Sequence, residues 1–93
     1  MFDFNLSDEL KLVIKKLLKK DKKRVIILNK KIKEIINNNE TTIDRYYNCS
    51  YDLKEYKHVH IDKSFVLLFK IEKKNNFILF AKLGHHDDFF KKA

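Results

Sequence analysis

Four histidines fall in the last part of the chain, in His58-Val59-His60 and in Gly84-His85-His86-Asp87-Asp88-Phe89-Phe90. Imidazole exchanges protons near neutral pH, so two separated imidazoles brought onto one surface of a lysine-rich chain are a kit for cleaving a phosphodiester. An RNA strand carries its own nucleophile, the 2′-OH. The protein then needs only to remove that proton, stabilise the extra negative charge on phosphorus and protonate the departing 5′-oxygen.

The elements that must position these groups read as strands. His58 and His60 are two apart, so both point to one face of a strand while Val59 and Ile61 point to the other. Phe65 to Ile71 is almost continuously apolar, Phe77 to Leu83 is another apolar run, and Glu72 to Asn76 is a turn-prone link. Three sequential antiparallel strands are expected, the middle one buried on both faces. Lys70 and Lys82 sit on two of them, and period two puts Lys82 on the face of Ile78 and Phe80. Gly84 is the only glycine, at the end of a strand run, which predicts a backbone turn that no side chain would allow.

Other chemistries fit less well. His58 and His60, or His85 with His86, Asp87 and Asp88, are metal-ligand types without the spacing of a known metal class, so no metal and no cofactor is expected. No serine or cysteine sits in an elbow-like turn: Ser64 follows a lysine in a predicted turn, and Cys49 reads as a small buried hydrophobe. On residue types alone, solvated histidines without a task remain open.

Upstream, Phe2, Phe4 and Leu6 alternate with polar residues as a short strand does. Ser7 is placed to cap a helix whose first turn carries Asp8 and Glu9, and Leu10, Val13, Ile14, Leu17 and Leu18 follow as its core stripe. The phase breaks at Lys20-Asp21-Lys22. A second stripe of Val25, Leu28, Ile32, Ile35 and Ile36 then runs to Asn37-Asn38-Asn39, where the helix should stop, giving an antiparallel helical hairpin. Glu40 to Lys57 reads as a connection anchored by Tyr46, Tyr47, Tyr51 and Leu53. Asp87 and Asp88 suit a cap for a short terminal turn.

The 93 residues suit one domain spanning 1–93, of α+β class. The net charge of +8 favours anionic partners, although nearly all of it is lysine, with Arg24 and Arg45 the only arginines, and a coding bias toward Lys, Ile and Asn would produce much of it. A lone cysteine excludes an intramolecular disulfide and suits a reducing cytoplasm. No segment reads as a membrane span, and Met1-Phe2-Asp3-Phe4 lacks the pattern of a signal peptide.

The string Tyr56-Lys57-His58-Val59-His60-Ile61-Asp62-Lys63-Ser64-Phe65-Val66-Leu67-Leu68-Phe69-Lys70, followed by Phe80-Ala81-Lys82-Leu83-Gly84-His85-His86-Asp87-Asp88-Phe89-Phe90, resembles the RelE/ParE superfamily of toxins, and most the YafQ-like branch. The front half agrees: a short strand, Ser-Asp-x-Leu, a lysine-studded helical hairpin and Asp52-Leu53-Lys54 before the sheet. The resemblance implies a microbial RNase-like fold, metal-independent, ribosome-dependent cleavage of messenger RNA, and a cognate antitoxin in a type II toxin–antitoxin system. It implies that His60 matches the histidine of the family's first His-Ile strand and His86 that of its Gly-x-His motif. Lys82 falls where the family usually has an arginine, and Phe90 matches its terminal aromatic.

On this reading His60 and His86 divide the acid and base roles, Lys82 neutralises the phosphorane and Phe90 stacks a base, while Ser64, Lys70, Lys57 and His58 contact substrate. Where the YafQ-like pattern has aspartate and tryptophan, this chain has Ser64 and Phe65. The lost carboxylate keeps open a catalytically weakened relative that binds only its antitoxin. A ParE-like inhibitor of DNA gyrase is the other alternative.

Overall fold

The computed structural model describes residues 1–90, apart from the side chain of Tyr51. The elements follow as β1 (Asp3–Leu6), α1 (Asp8–Lys20), α2 (Lys22–Ile36), β2 (Tyr47–Asn48), β3 (Lys57–His60), β4 (Phe65–Glu72), β5 (Phe77–His85) and α3 (His86–Phe89).

The three expected antiparallel strands are β3, β4 and β5. They form the centre of a wider sheet of order β1-β5-β4-β3-β2. The N-terminal strand joins it parallel to β5, with Phe4 level with Ile78, and the two-residue β2 pairs antiparallel with β3 at the far edge. Parallel pairing requires a long crossover, and the α1–α2 hairpin together with β2 to β4 supplies it.

Both helix starts follow from their caps. Ser7 Oγ accepts from Leu10 N at 3.0 Å and donates to the Ala81 carbonyl at 2.6 Å, so the cap also fastens α1 to β5. Asp21 ends α1 and caps α2, accepting from Arg24 N at 3.2 Å. The α2 stripe is buried throughout, and Leu10 closes the α1 side. Leu18, expected in the core, is half-exposed at 48%, while Leu17 beside it packs against the core. Asn38 is buried and donates to the carbonyls of Glu34 and Ile35, the spare groups of a helix end, so the stop at the asparagines has a mechanism.

Leu67 and Phe69 of β4 pack with Ile78, Phe80 and Leu83 of β5 against the helices. The alternate residues Val66 and Leu68 are equally buried, under Cys49, Leu53, Tyr56, Phe89 and Phe90. The middle strand is thus covered on both faces, the second time by the connection before β3 and by α3. Among the expected anchors of that connection, Tyr46 packs edge-on to Phe69 and Leu53 lies on the second cluster, whereas Tyr47 is 78% exposed. Tyr47 belongs to the edge strand β2, and period two turns it outward. The Tyr51 side chain lies outside the described residues.

Candidate active site

β3 carries Val59 toward the helices and so turns His58 and His60 to the opposite face. The β3–β4 turn ends on Ser64, whose carbonyl accepts from His86 N at 2.6 Å. This bond brings the start of α3 beside the end of β3. The rings of His60 and His86 consequently stack, with centroids 5.6 Å apart and planes 19° apart. Phe90 lies 4.8 Å from His86 and 5.2 Å from His58, and His58 lies 6.4 Å from His60. Three imidazoles and one phenyl ring thus form a single cluster.

His58 is the sheltered member. Its Nδ1 is 3.6 Å from Cys49 Sγ. Burial raises the thiol's pKa, so Cys49 stays a protonated, uncharged neighbour of the His58 ring. Desolvation first, then the neighbouring His60 and His86, lower the His58 pKa below its ordinary 6.5. His58 is therefore a neutral support at physiological pH. His60 is exposed and His86 half-buried, so both are open to a ligand.

α3 begins with a capping box in which His85 Nδ1 accepts from Asp87 N and the Asp88 carboxylate accepts from His85 N, so Asp88 fills the capping role expected of the pair. Gly84 does something other than turn the chain. It lies within β5 without a positive φ, and an added Cβ would stand 3.1 Å from Phe89 Cζ. The glycine makes room for the α3 aromatics over the sheet, a close approach in place of a turn.

Of the lysines, Lys82 shares the histidine face: it lies opposite Leu68, which lies opposite His58. The β4–β5 register shifts by one residue between Leu68, opposite Lys82, and Phe69, opposite Phe80. This bulge at Ala81 takes Lys82 off the face of Ile78 and Phe80, where strict period two would put it, and its Nζ pairs with Glu9 of α1 at 3.2 Å. Lys70 is on the histidine face but farther along β4, pairing with Glu55 at 3.5 Å. Lys57 is on the helix face, where its Nζ donates to the Tyr46 carbonyl and Asn48 Oδ1. Ser64 contributes through its backbone. Among the described residues, no three His, Cys, Asp or Glu side chains are grouped to hold a metal ion.

A relative in Methanocaldococcus jannaschii that carries the toxin name RelE4 is 37% identical over 99% of this chain and 94% of its own length. The chain belongs to the RelE family of toxins. No protein-family model matches it. Among solved structures, the fold of this RelE-family chain is similar to that of YafQ from Escherichia coli, with a TM-score of 0.74 and 18% identity over 97% of this chain and 99% of YafQ. It is also similar to a chain of the YoeB–YefM complex of Staphylococcus aureus, with a TM-score of 0.72 and 21% identity over 92% and 98%. The α+β reading of the sequence and the resemblance to RelE-type toxins both hold.

Sequence reasoning missed four residues that surround or brace the histidine cluster. Cys49 lies beside His58, Phe89 fills the space above Gly84, and Arg24 with Asp62 brace the β3–β4 turn. Only Asp62 had a local signal: an aspartate two residues before Ser64 can fold back on the backbone as an Asx turn.

Proposed function

We propose that this protein is the toxin of a type II toxin–antitoxin pair and acts as a ribosome-dependent endoribonuclease on messenger RNA. The observation that carries the reading is the stacked His60–His86 pair with Phe90 against it. One imidazole takes the 2′-OH proton and the other returns a proton to the 5′-oxygen, so the chemistry needs no metal from the protein. Lys82 meets the charge on phosphorus by exchanging Glu9 for the phosphate. A partly exposed ion pair of this type is worth only about 0–1 kcal/mol, so the exchange is cheap. Phe90, packed between His58 and His86, offers its ring to a base.

The YoeB–YefM complex supports a protein partner bound to such a domain. With a net charge of +8, the partner suited to this chain is acidic. Function in the cytoplasm, on translating ribosomes, belongs to the same reading. No helix among the described residues is long and apolar enough to cross a membrane. The test is cleavage of ribosome-bound message by the purified chain, mapped by primer extension. Codon-phased cuts that vanish in His86→Ala are expected, and full cleavage by that variant would sink the proposal.

A further inference from the structure

The β3–β4 turn that joins His60 to His86 is braced from the helical hairpin. Asp62 Oδ1 accepts from both Ser64 N and Phe65 N at 2.9 Å, which fixes the turn locally. Its other oxygen, Oδ2, accepts from Arg24 Nε at 3.0 Å. Arg24 is itself held: a terminal guanidinium nitrogen lies 2.8 Å from Asp21 Oδ2, and its Cζ lies 3.9 Å above the Phe65 ring. Asp21 joins the two helices, so the brace runs from the hairpin through Arg24 and Asp62 to the Ser64 carbonyl, and from there to His86 N. The arginine stacks on Phe65, one of the two departures from the YafQ-like pattern.

We infer that Arg24 and Asp62 are positioning residues for the ribonuclease chemistry, together locking the turn whose Ser64 carbonyl holds His86 against His60. The inference rests on the proposed ribonuclease reading but is read out separately from it. Asp62 does not replace the carboxylate missing at position 64 as an acid or base. Both of its oxygens are committed, to two backbone donors and a guanidinium, and such a carboxylate is held in its ionised form. Its work is geometric, and misplacing a reacting group by about 1 Å costs about a hundredfold in rate.

Two measurements on the full chain test this. The first is hydrogen exchange at the His86 amide, which depends on the bond to Ser64 and not on catalysis. Asp62→Ala should speed that exchange about tenfold or more while the core amide of Phe69 keeps its protection. Asp62→Asn keeps an Oδ1 acceptor for the turn but turns an amide donor toward Arg24, so it should restore only part of the protection. The second is cleavage at saturating ribosomes. Asp62→Ala should lower turnover about a hundredfold without changing the ribosome concentration for half-maximal rate, and Asp62→Asn should recover part of it.

Should Asp62→Ala fail to fold, Arg24→Met removes the ion pair, keeps the cover on Phe65, and should still accelerate His86 exchange. Wild-type exchange in Asp62→Ala, or in Arg24→Met where Asp62→Ala does not fold, overturns the inference. A chain that never cleaves message defeats the ribonuclease reading instead, and the exchange result then still decides whether the brace holds His86.

Discussion

The imidazoles of His60 and His86 stack at 5.6 Å although one ends β3 and the other begins α3. The link is a backbone hydrogen bond from His86 to the Ser64 carbonyl, so the pairing depends on the turn between the strands as much as on the histidines. Phe90 packs on the His86 ring and His58 backs the cluster from the sheet. The arrangement leaves two proton-transfer groups adjacent on one face, with an aromatic platform beside them.

Removal of either ring should be severe. General acid–base catalysis contributes about 100- to 10,000-fold, so His60→Ala and His86→Ala should each lower message cleavage within that range. The double variant should lose little more than either single one, because the two act as a unit. Single-turnover cleavage of ribosome-bound message measures both, and additive losses would show that the rings work independently.

His58 makes stability depend on pH. Its pKa is held below 6.5 in the folded protein by burial and by its imidazole neighbours, so the unfolded chain takes up a proton on this group first as pH falls. Its contribution is present above 6.5 and is lost as pH falls through the lower folded value. The melting temperature should fall on acidification across this window, and His58→Gln should show a smaller fall. Equal pH dependence in the two proteins would remove His58 as the cause.

Gly84→Ala tests the close approach over the sheet. The new Cβ meets the Phe89 ring at 3.1 Å, and overpacking of this kind costs about 1–3 kcal/mol. For a domain of this size about 1 kcal/mol shifts the melting temperature by about 4–8 °C. Calorimetry should show a drop of that order, and cleavage should fall with it as Phe89 and Phe90 are displaced from the histidines. An unchanged melting temperature would mean that Phe89 yields freely.

Association with ribosomes should weaken steeply with salt. Each phosphate neutralised contributes a slope of about −0.7 to −0.9 in log affinity against log salt, depending on the strand state. If Lys82 exchanges Glu9 for a phosphate, Lys82→Gln should reduce the slope by about one. Titration at several salt concentrations gives both slopes, and identical slopes would take Lys82 off the phosphate.

The site residues divide according to how local their signals were. His58 and His60 were legible because strand alternation fixes a face two residues at a time, and Val59 and Ile61 supplied the buried counterpart. His86 and Phe90 were legible only through the family resemblance, since no periodicity says where a short terminal helix will fold. Lys82 was misplaced by period two, because a bulge adds a residue without leaving a signal in the apolar pattern. Lys57 lies on the face opposite the histidines for a simpler reason: it alternates with His58 and points with Val59 toward the helices.

By itself the sequence determined the helical hairpin, its caps, the three central strands and the histidine face of β3, since each follows from patterns only a few residues long. Tertiary structure alone decided that β1 lies parallel beside β5, that α3 folds over Val66 and Leu68, and that Arg24 reaches across to Asp62. Those contacts join residues far apart in the chain. Their geometry depends on how whole elements pack, which local hydrophobic periodicity does not encode.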